Sequence, residues 1–124
     1  MSRRILIVDD EPNIVISLEY LMKREGYETA VAGDGEAALA SLAERTPDLV
    51  VLDVMLPKLN GFEVCRQIRA DPRWKGVRVL MLTARGRDTE VAKGLGVGAD
   101  AYVTKPFSTK DLVALVKHLL PAAG

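Results

Sequence analysis

A single cysteine, Cys65, is all the thiol this 124-residue chain carries, so no internal disulfide can form and a reducing compartment is the natural home. No apolar run approaches the ~20 residues of a membrane span. The stretch Ile5-Leu6-Ile7-Val8 meets Asp9 too soon to serve as a signal peptide. Neither sign of charge dominates, because seventeen Lys and Arg offset seventeen Asp and Glu. A neutral chain has no electrostatic reason to bind nucleic acid or a membrane surface directly. Aromatic residues make up only 5%, which leaves any core to aliphatic side chains and alanine. The one histidine, His118, has no partner motif beside it, and there is no repeat, low-complexity tract or internal linker. These absences leave a soluble cytoplasmic protein, or one domain cut from a longer one, as the expectation.

What the chain does have is apolar runs that each end in a functional side chain. Hydrophobic residues are 48% of the sequence, enough for a core, and the length suits one domain over residues 1–124. Asp9 and Asp10 close Ile5–Val8, Asp53 closes Leu49–Leu52, Thr83 closes Val79–Leu82, and Lys105 follows Ala101–Thr104. Amphipathic segments separate these runs. Ile14, Val15, Leu18, Leu21 and Met22 recur at helical spacing after Pro12, with Asp10 or Glu11 as the cap and Gly26 as the stop. Glu28–Ala32 reads as a half-exposed strand, and Asp34 is placed to cap a second helix that ends before Pro47. After a loop over 57–60, Gly61 opens a third helix with Phe62, Cys65 and Ile68 inward. A weak fourth helix runs from about Asp88 to Leu95, with Gly94, Gly96 and Gly98 read as its termination and turn. Ala101–Val103 is a short fifth strand, and Ser108-Thr109-Lys110-Asp111 has the form of a capping box before the last helix.

Strand–helix alternation repeated about five times implies an open parallel α/β sheet with helices on both faces. In such sheets the site lies outside the carboxyl ends of the strands. All the residues named at run ends fall there. Three carboxylates brought together repel one another, and a hard divalent cation with oxygen ligands resolves that; magnesium suits few carboxylates plus water. A carboxylate left to act as nucleophile can form an aspartyl-phosphate. The transferring group needs its equatorial oxygens neutralised, which the metal, Lys105 and the Thr83 hydroxyl would supply.

Four segments match one family in order and spacing: Ile-Leu-Ile-Val-Asp-Asp (5–10), Asp-Leu-Val-Val-Leu-Asp-Val-Met-Leu-Pro (48–57) with Asn60-Gly61, Leu-Thr-Ala (82–84), and Gly-Ala-Asp-Ala-Tyr-Val-Thr-Lys-Pro-Phe (98–107). Over nearly its whole length the chain resembles the receiver domain of two-component response regulators. The resemblance implies a flavodoxin-like, doubly wound, five-stranded parallel sheet of order 2-1-3-4-5. It also implies that Asp53 accepts a phosphoryl group from the phosphohistidine of a sensor histidine kinase or phosphotransfer protein. Asp9, Asp10 and Asp53, with the Met55 carbonyl, would hold Mg2+ or Mn2+. Thr83 and Lys105 would contact the phosphoryl group, and Tyr102 would be the aromatic that turns inward when Thr83 moves. Lys105-Pro106 matches a junction that is cis in the family. Met55 and Arg85 occupy the two positions that tune phosphate lifetime, Met55 as a shield and Arg85 within reach of the acidic cluster or the phosphoryl group.

By the same resemblance, the fourth helix, fifth strand and last helix form the face that engages a downstream protein or fused output domain, and a phosphorylation-dependent homodimer is compatible with it. The expected part is a phosphoacceptor that assists its own phosphorylation and dephosphorylation rather than an enzyme. Two rivals stand beside it: a receiver-like binding module that is never phosphorylated, and an aspartyl-phosphate phosphatase. The phosphatases place an acid/base two residues after the nucleophile, where this chain has Met55, which cannot transfer a proton.

Overall fold

The computed structural model describes residues 3–84, 96, 98–105 and 107–120, without the side chains of Ala84 and Lys105. Five strands, β1 (Arg4–Val8), β2 (Glu28–Ala32), β3 (Leu49–Asp53), β4 (Arg78–Ala84) and β5 (Ala101–Lys105), form one sheet of order β2-β1-β3-β4-β5, and every pairing is parallel. This is the doubly wound order implied by the resemblance. The central strand β3 is buried along its whole length, as the continuous apolar run Leu49–Leu52 requires of a strand covered on both faces.

Alternation along the strands divides the core in two. Ile5, Ile7, Leu49, Val51, Leu80 and Leu82 face helix α1 (Pro12–Arg24) and the C-terminal helix (Thr109–Leu119), which contribute Leu18, Met22, Leu112 and Val116. Leu6, Val8, Val50, Leu52, Val79 and Met81 face helices α2 (Gly35–Glu44) and α3 (Gly61–Ala70), which contribute Ala38, Leu42, Val64, Cys65 and Ile68. Trp74, in a short 3-10 turn over Pro72–Trp74, seals the second layer.

Three helices begin as their sequences demand. Asp34 Oδ1 accepts from Ala37 N–H at 2.7 Å, Asn60 Oδ1 from Glu63 N–H at 3.0 Å, and Ser108 Oγ from Asp111 N–H at 3.3 Å. Helix α1 departs from expectation. Glu11 sits at its N-cap but its side chain makes no capping bond; instead Asp9 Oδ1 accepts the Glu11 N–H at 2.9 Å. β4 and β5 each run two residues further at their carboxyl ends than expected. β4 includes Thr83 and Ala84, and β5 includes Thr104 and Lys105, because the ladder Thr83↔Thr104 and Ala84↔Lys105 continues past the apolar runs. The fourth helix, expected over residues 88–95, lies outside the described residues. Among the described residues, no helix is long and apolar enough to cross a membrane.

Candidate functional site

The site forms where β1 and β3, adjacent in the sheet with Val8 paired to Leu52, both end in carboxylates. Asp9 and Asp10 leave β1 before Pro12 starts α1, and Asp53 is the last residue of β3. One oxygen from each of Asp9, Asp10 and Asp53 lies within 4.8 Å of the others. Asp9 and Asp53 are buried at 2% and 4% exposure, while Asp10 opens to solvent. A cluster with two walled carboxylates and one exposed member has an entrance as well as a floor. Three like charges at this separation, in a partly desolvated pocket, repel more strongly than in water. The donor set is all carboxylate oxygen, the ligand chemistry of a hard divalent cation.

Backbone amides hold two of the three acids. Asp9 Oδ1 takes the Glu11 N–H at 2.9 Å, and Asp53 Oδ1 takes the Met55 N–H at 3.1 Å. The chain then turns back sharply. Gly61 N–H donates to the Val54 carbonyl at 2.9 Å, and a Cβ on Gly61 would stand only 2.3 Å from the Asp53 carbonyl oxygen. No side chain other than hydrogen fits there, so the Asn60-Gly61 step is dictated by close approach to the strand that carries Asp53. Met55 as a whole is 66% exposed.

Thr83 lies one residue beyond Leu82, which pairs with Asp53 across the β3–β4 ladder, and it is buried at 1% exposure. Since Met81 pairs with Tyr102, alternation puts Thr83 and Tyr102 on the same face of the sheet. Tyr102 is half-buried there against the α2–α3 layer. Lys105 ends β5, paired through its backbone with Ala84 at the same edge. Arg85, the Lys105 side chain and Pro106 lie outside the described residues. Asp9, Asp10, Asp53, Met55, Thr83 and the backbone of Lys105 thus gather at the carboxyl edge of the sheet, and Tyr102 sits two register positions behind Thr83. In the sequence Gly61 stands out only as a helix start and as part of the Asn60-Gly61 match to the family, and Lys58 only as loop; the close approach of Gly61 to β3 is visible in the structure alone.

Comparisons with known proteins bear on the family and the fold. The family described as response regulator receiver domain matches residues 5–117. The DNA-binding response regulator MtrA of Mycolicibacterium smegmatis is 50% identical over 120 residues, covering 97% of this chain and 51% of its own length. The alkaline phosphatase synthesis transcriptional regulatory protein PhoP of Bacillus subtilis is 48% identical, covering 97% and 49%. This chain therefore spans about half the length of the curated relatives it matches. A response regulator structure from Chloroflexus aurantiacus superposes with a TM-score of 0.93 at 36% identity, covering 96% of this chain and 98% of that one. The chemotaxis response regulator CheY4 of Vibrio cholerae does so with a TM-score of 0.91 at 30% identity, covering 97% and 100%. With the match to the family spanning nearly all of the sheet and its helices, the chain belongs to the response regulator receiver domains, the phosphorylation-activated switch modules of two-component signalling.

Proposed function

We propose that Asp53 is the phosphoacceptor of this switch and that residues 1–124 act as a single receiver domain. The observation that carries the reading is the gathering of Asp9, Asp10 and Asp53 within 4.8 Å at the ends of two adjacent strands. An Asp53 carboxylate oxygen attacks the phosphorus of a phosphohistidine on a sensor histidine kinase or phosphotransfer protein. The P–N bond breaks, and the leaving imidazole nitrogen keeps the electron pair. The Met55 N–H on Asp53 Oδ1 fixes the rotation of the carboxylate, a positioning effect of the kind that dominates phosphoryl transfer.

The three carboxylates and the Met55 carbonyl would hold Mg2+ or Mn2+, which when bound neutralises charge on the phosphoryl oxygens. The Thr83 hydroxyl hydrogen-bonds one of those oxygens and the Lys105 ammonium pairs with another. Movement of Thr83 toward the phosphoryl group opens space on its face of the sheet, and Tyr102 turns into it. Arg85 and Met55 set how fast water removes the phosphoryl group. The chain releases phosphate slowly and is no phosphatase, since Met55 offers no proton where a second acid would be needed.

Output passes through the face of β5 and the helices beside it. Between β5 and the C-terminal helix a cleft of about 380 Å³, lined by Tyr102, Thr104, Phe107, Asp111 and Leu115, supports this as the surface for a downstream protein, a fused output domain or a second activated copy. The neutral charge favours a protein partner over direct contact with nucleic acid or membrane, and the working compartment is the cytoplasm. Incubation with acetyl phosphate and Mg2+ tests the reading. A Phos-tag shift that Asp53→Asn abolishes supports it. No shift would favour a mute binding module, and steady phosphate release at enzyme-like rates would favour a phosphatase.

A further inference from the structure

Three observations converge on Lys58, a residue outside the acidic cluster. Its φ is +66°, the one positive φ on a non-glycine among the described residues, and across it Leu59 N–H donates to the Pro57 carbonyl at 2.8 Å. A three-residue turn of this hand is rare and strained for an L side chain. Such strain persists where the surroundings over-determine it. The surroundings here are anionic: Lys58 Nζ lies 3.7 Å from Asp34 Oδ2 and 3.9 Å from Glu36 Oε2. Asp34 divides its oxygens, with Oδ1 capping α2 and Oδ2 facing the lysine. The backbone of the same loop is also pressed onto the start of α2, because a Cβ on Gly35 would meet the Leu59 carbonyl oxygen at 2.3 Å. At its other end the loop delivers the Met55 N–H to Asp53 Oδ1.

We propose that Lys58 is a positioning residue for the aspartate site: its ammonium, clamped between Asp34 and Glu36, holds the arch from Met55 to Asn60 down on Asp53. The idea rests on the reading of Asp53 as phosphoacceptor. The strained turn pushes toward opening and the ion clamp resists it. Leu56 and Leu59 pack on the core, so slack released at Lys58 passes to Met55, whose amide orients Asp53. Exposed ion pairs contribute little to overall stability, but a pair that opposes local strain biases the loop without being needed for folding. The clamp is also open to solvent, which makes it sensitive to salt.

Lys58→Ala keeps the demand for positive φ and removes the ammonium. The double variant Asp34→Asn/Glu36→Gln keeps the α2 cap acceptor and the lysine but removes the anions. Both are expected to speed hydrogen exchange of the Met55 amide in metal-free protein and to weaken Mg2+ binding by calorimetry about two- to five-fold, with the melting temperature nearly unchanged. Lys58→Arg should behave as the unaltered protein, Lys58→Gly should be milder than Lys58→Ala because it relieves the strain, and high salt should move the unaltered protein toward the variants. Unchanged Met55 exchange and Mg2+ binding in both clamp variants would overturn the proposal. Acetyl phosphate labelling separates this from the reading beneath it: a labelled protein with inert Lys58 variants loses only the clamp, whereas a protein never labelled at Asp53 loses the phosphoacceptor role while amide exchange still decides the clamp.

Discussion

Replacing Gly61 by alanine should damage fold and site together. The added Cβ would lie 2.3 Å from the Asp53 carbonyl oxygen and 2.8 Å from Val54 Cα, both backbone atoms, inside the 3.0 Å that real Cβ contacts essentially never breach. Neither neighbour can swing aside as a side-chain tip would. The strand β3 is buried throughout and anchored by its ladders to β1 and β4, so α3 must shift outward, taking Phe62, Val64 and Cys65 with it. Overpacking of this kind costs about 1–3 kcal/mol. Alanine recovers up to about 1 kcal/mol of helix propensity in a helix interior, but less at the first residue of α3. For a domain of this size the net loss should lower Tm by roughly 4–10 °C. Thermal unfolding by circular dichroism reads the fold, and the initial rate of acetyl phosphate labelling reads the site, which should fall because Asp53 and the Met55 amide move with the same backbone. Gly76→Ala is the control, since nothing lies within 4 Å of its Cβ position. A Gly61→Ala protein with the Tm and labelling rate of the unaltered chain would refute the close-approach argument.

Arg69 ties α3 to the far edge of the sheet, donating to the carbonyls of Gly98 at 2.8 Å and Val77 at 2.7 Å and to Asp100 Oδ2 at 2.5 Å. Arg69→Met should cost about 2–4 kcal/mol in urea unfolding, and Arg69→Lys should recover little of it because one ammonium cannot span the three acceptors. Cys65 is fully buried, and burial pushes its thiol up to about 11. An acid whose folded pKa is raised stabilises the fold fully below its ordinary value of 9.0, and that contribution is lost as pH climbs toward 11. Stability should therefore fall with pH across that window by up to about 2 kcal/mol more in the unaltered chain than in Cys65→Ala; parallel curves would contradict it. Below that window, thiol reagents should modify Cys65 only as fast as the protein opens.

Much of the architecture was legible because short-range chemistry and long-range packing agree. Leu49–Leu52 could only be a strand covered on both faces, and Asp34 and Ser108 cap where hydroxyl and carboxylate residues precede helical periodicity. The strand ends were less legible. Thr83, Thr104 and Lys105 break the apolar run, yet the ladder carries on through them because backbone pairing does not depend on hydrophobicity. The cap of α1 misled for a local reason: Asp9 reaches the Glu11 amide first, which also points its carboxylate into the site. The acids at the strand ends could be picked out from sequence, since parallel sheets put chemistry at one edge. Lys58 and Arg69 could not. The positive φ at Lys58 sits next to Leu59, whose carbonyl lies against Gly35 of α2, and Arg69 meets Asp100 from 31 residues away. Trp74 likewise gave no periodic signal, yet it is buried at the edge of the second layer.

The central claim is that one carboxylate in the acidic cluster accepts a phosphoryl group to become an acyl phosphate, and peptide mapping after borohydride reduction of acetyl phosphate-treated protein tests it most directly. Reductive cleavage converts an aspartyl-phosphate to homoserine at the modified position. The account predicts that conversion at Asp53 alone, dependent on Mg2+ and abolished by chelation. Conversion at Asp9 or Asp10, or none anywhere with Mg2+ present, would contradict it.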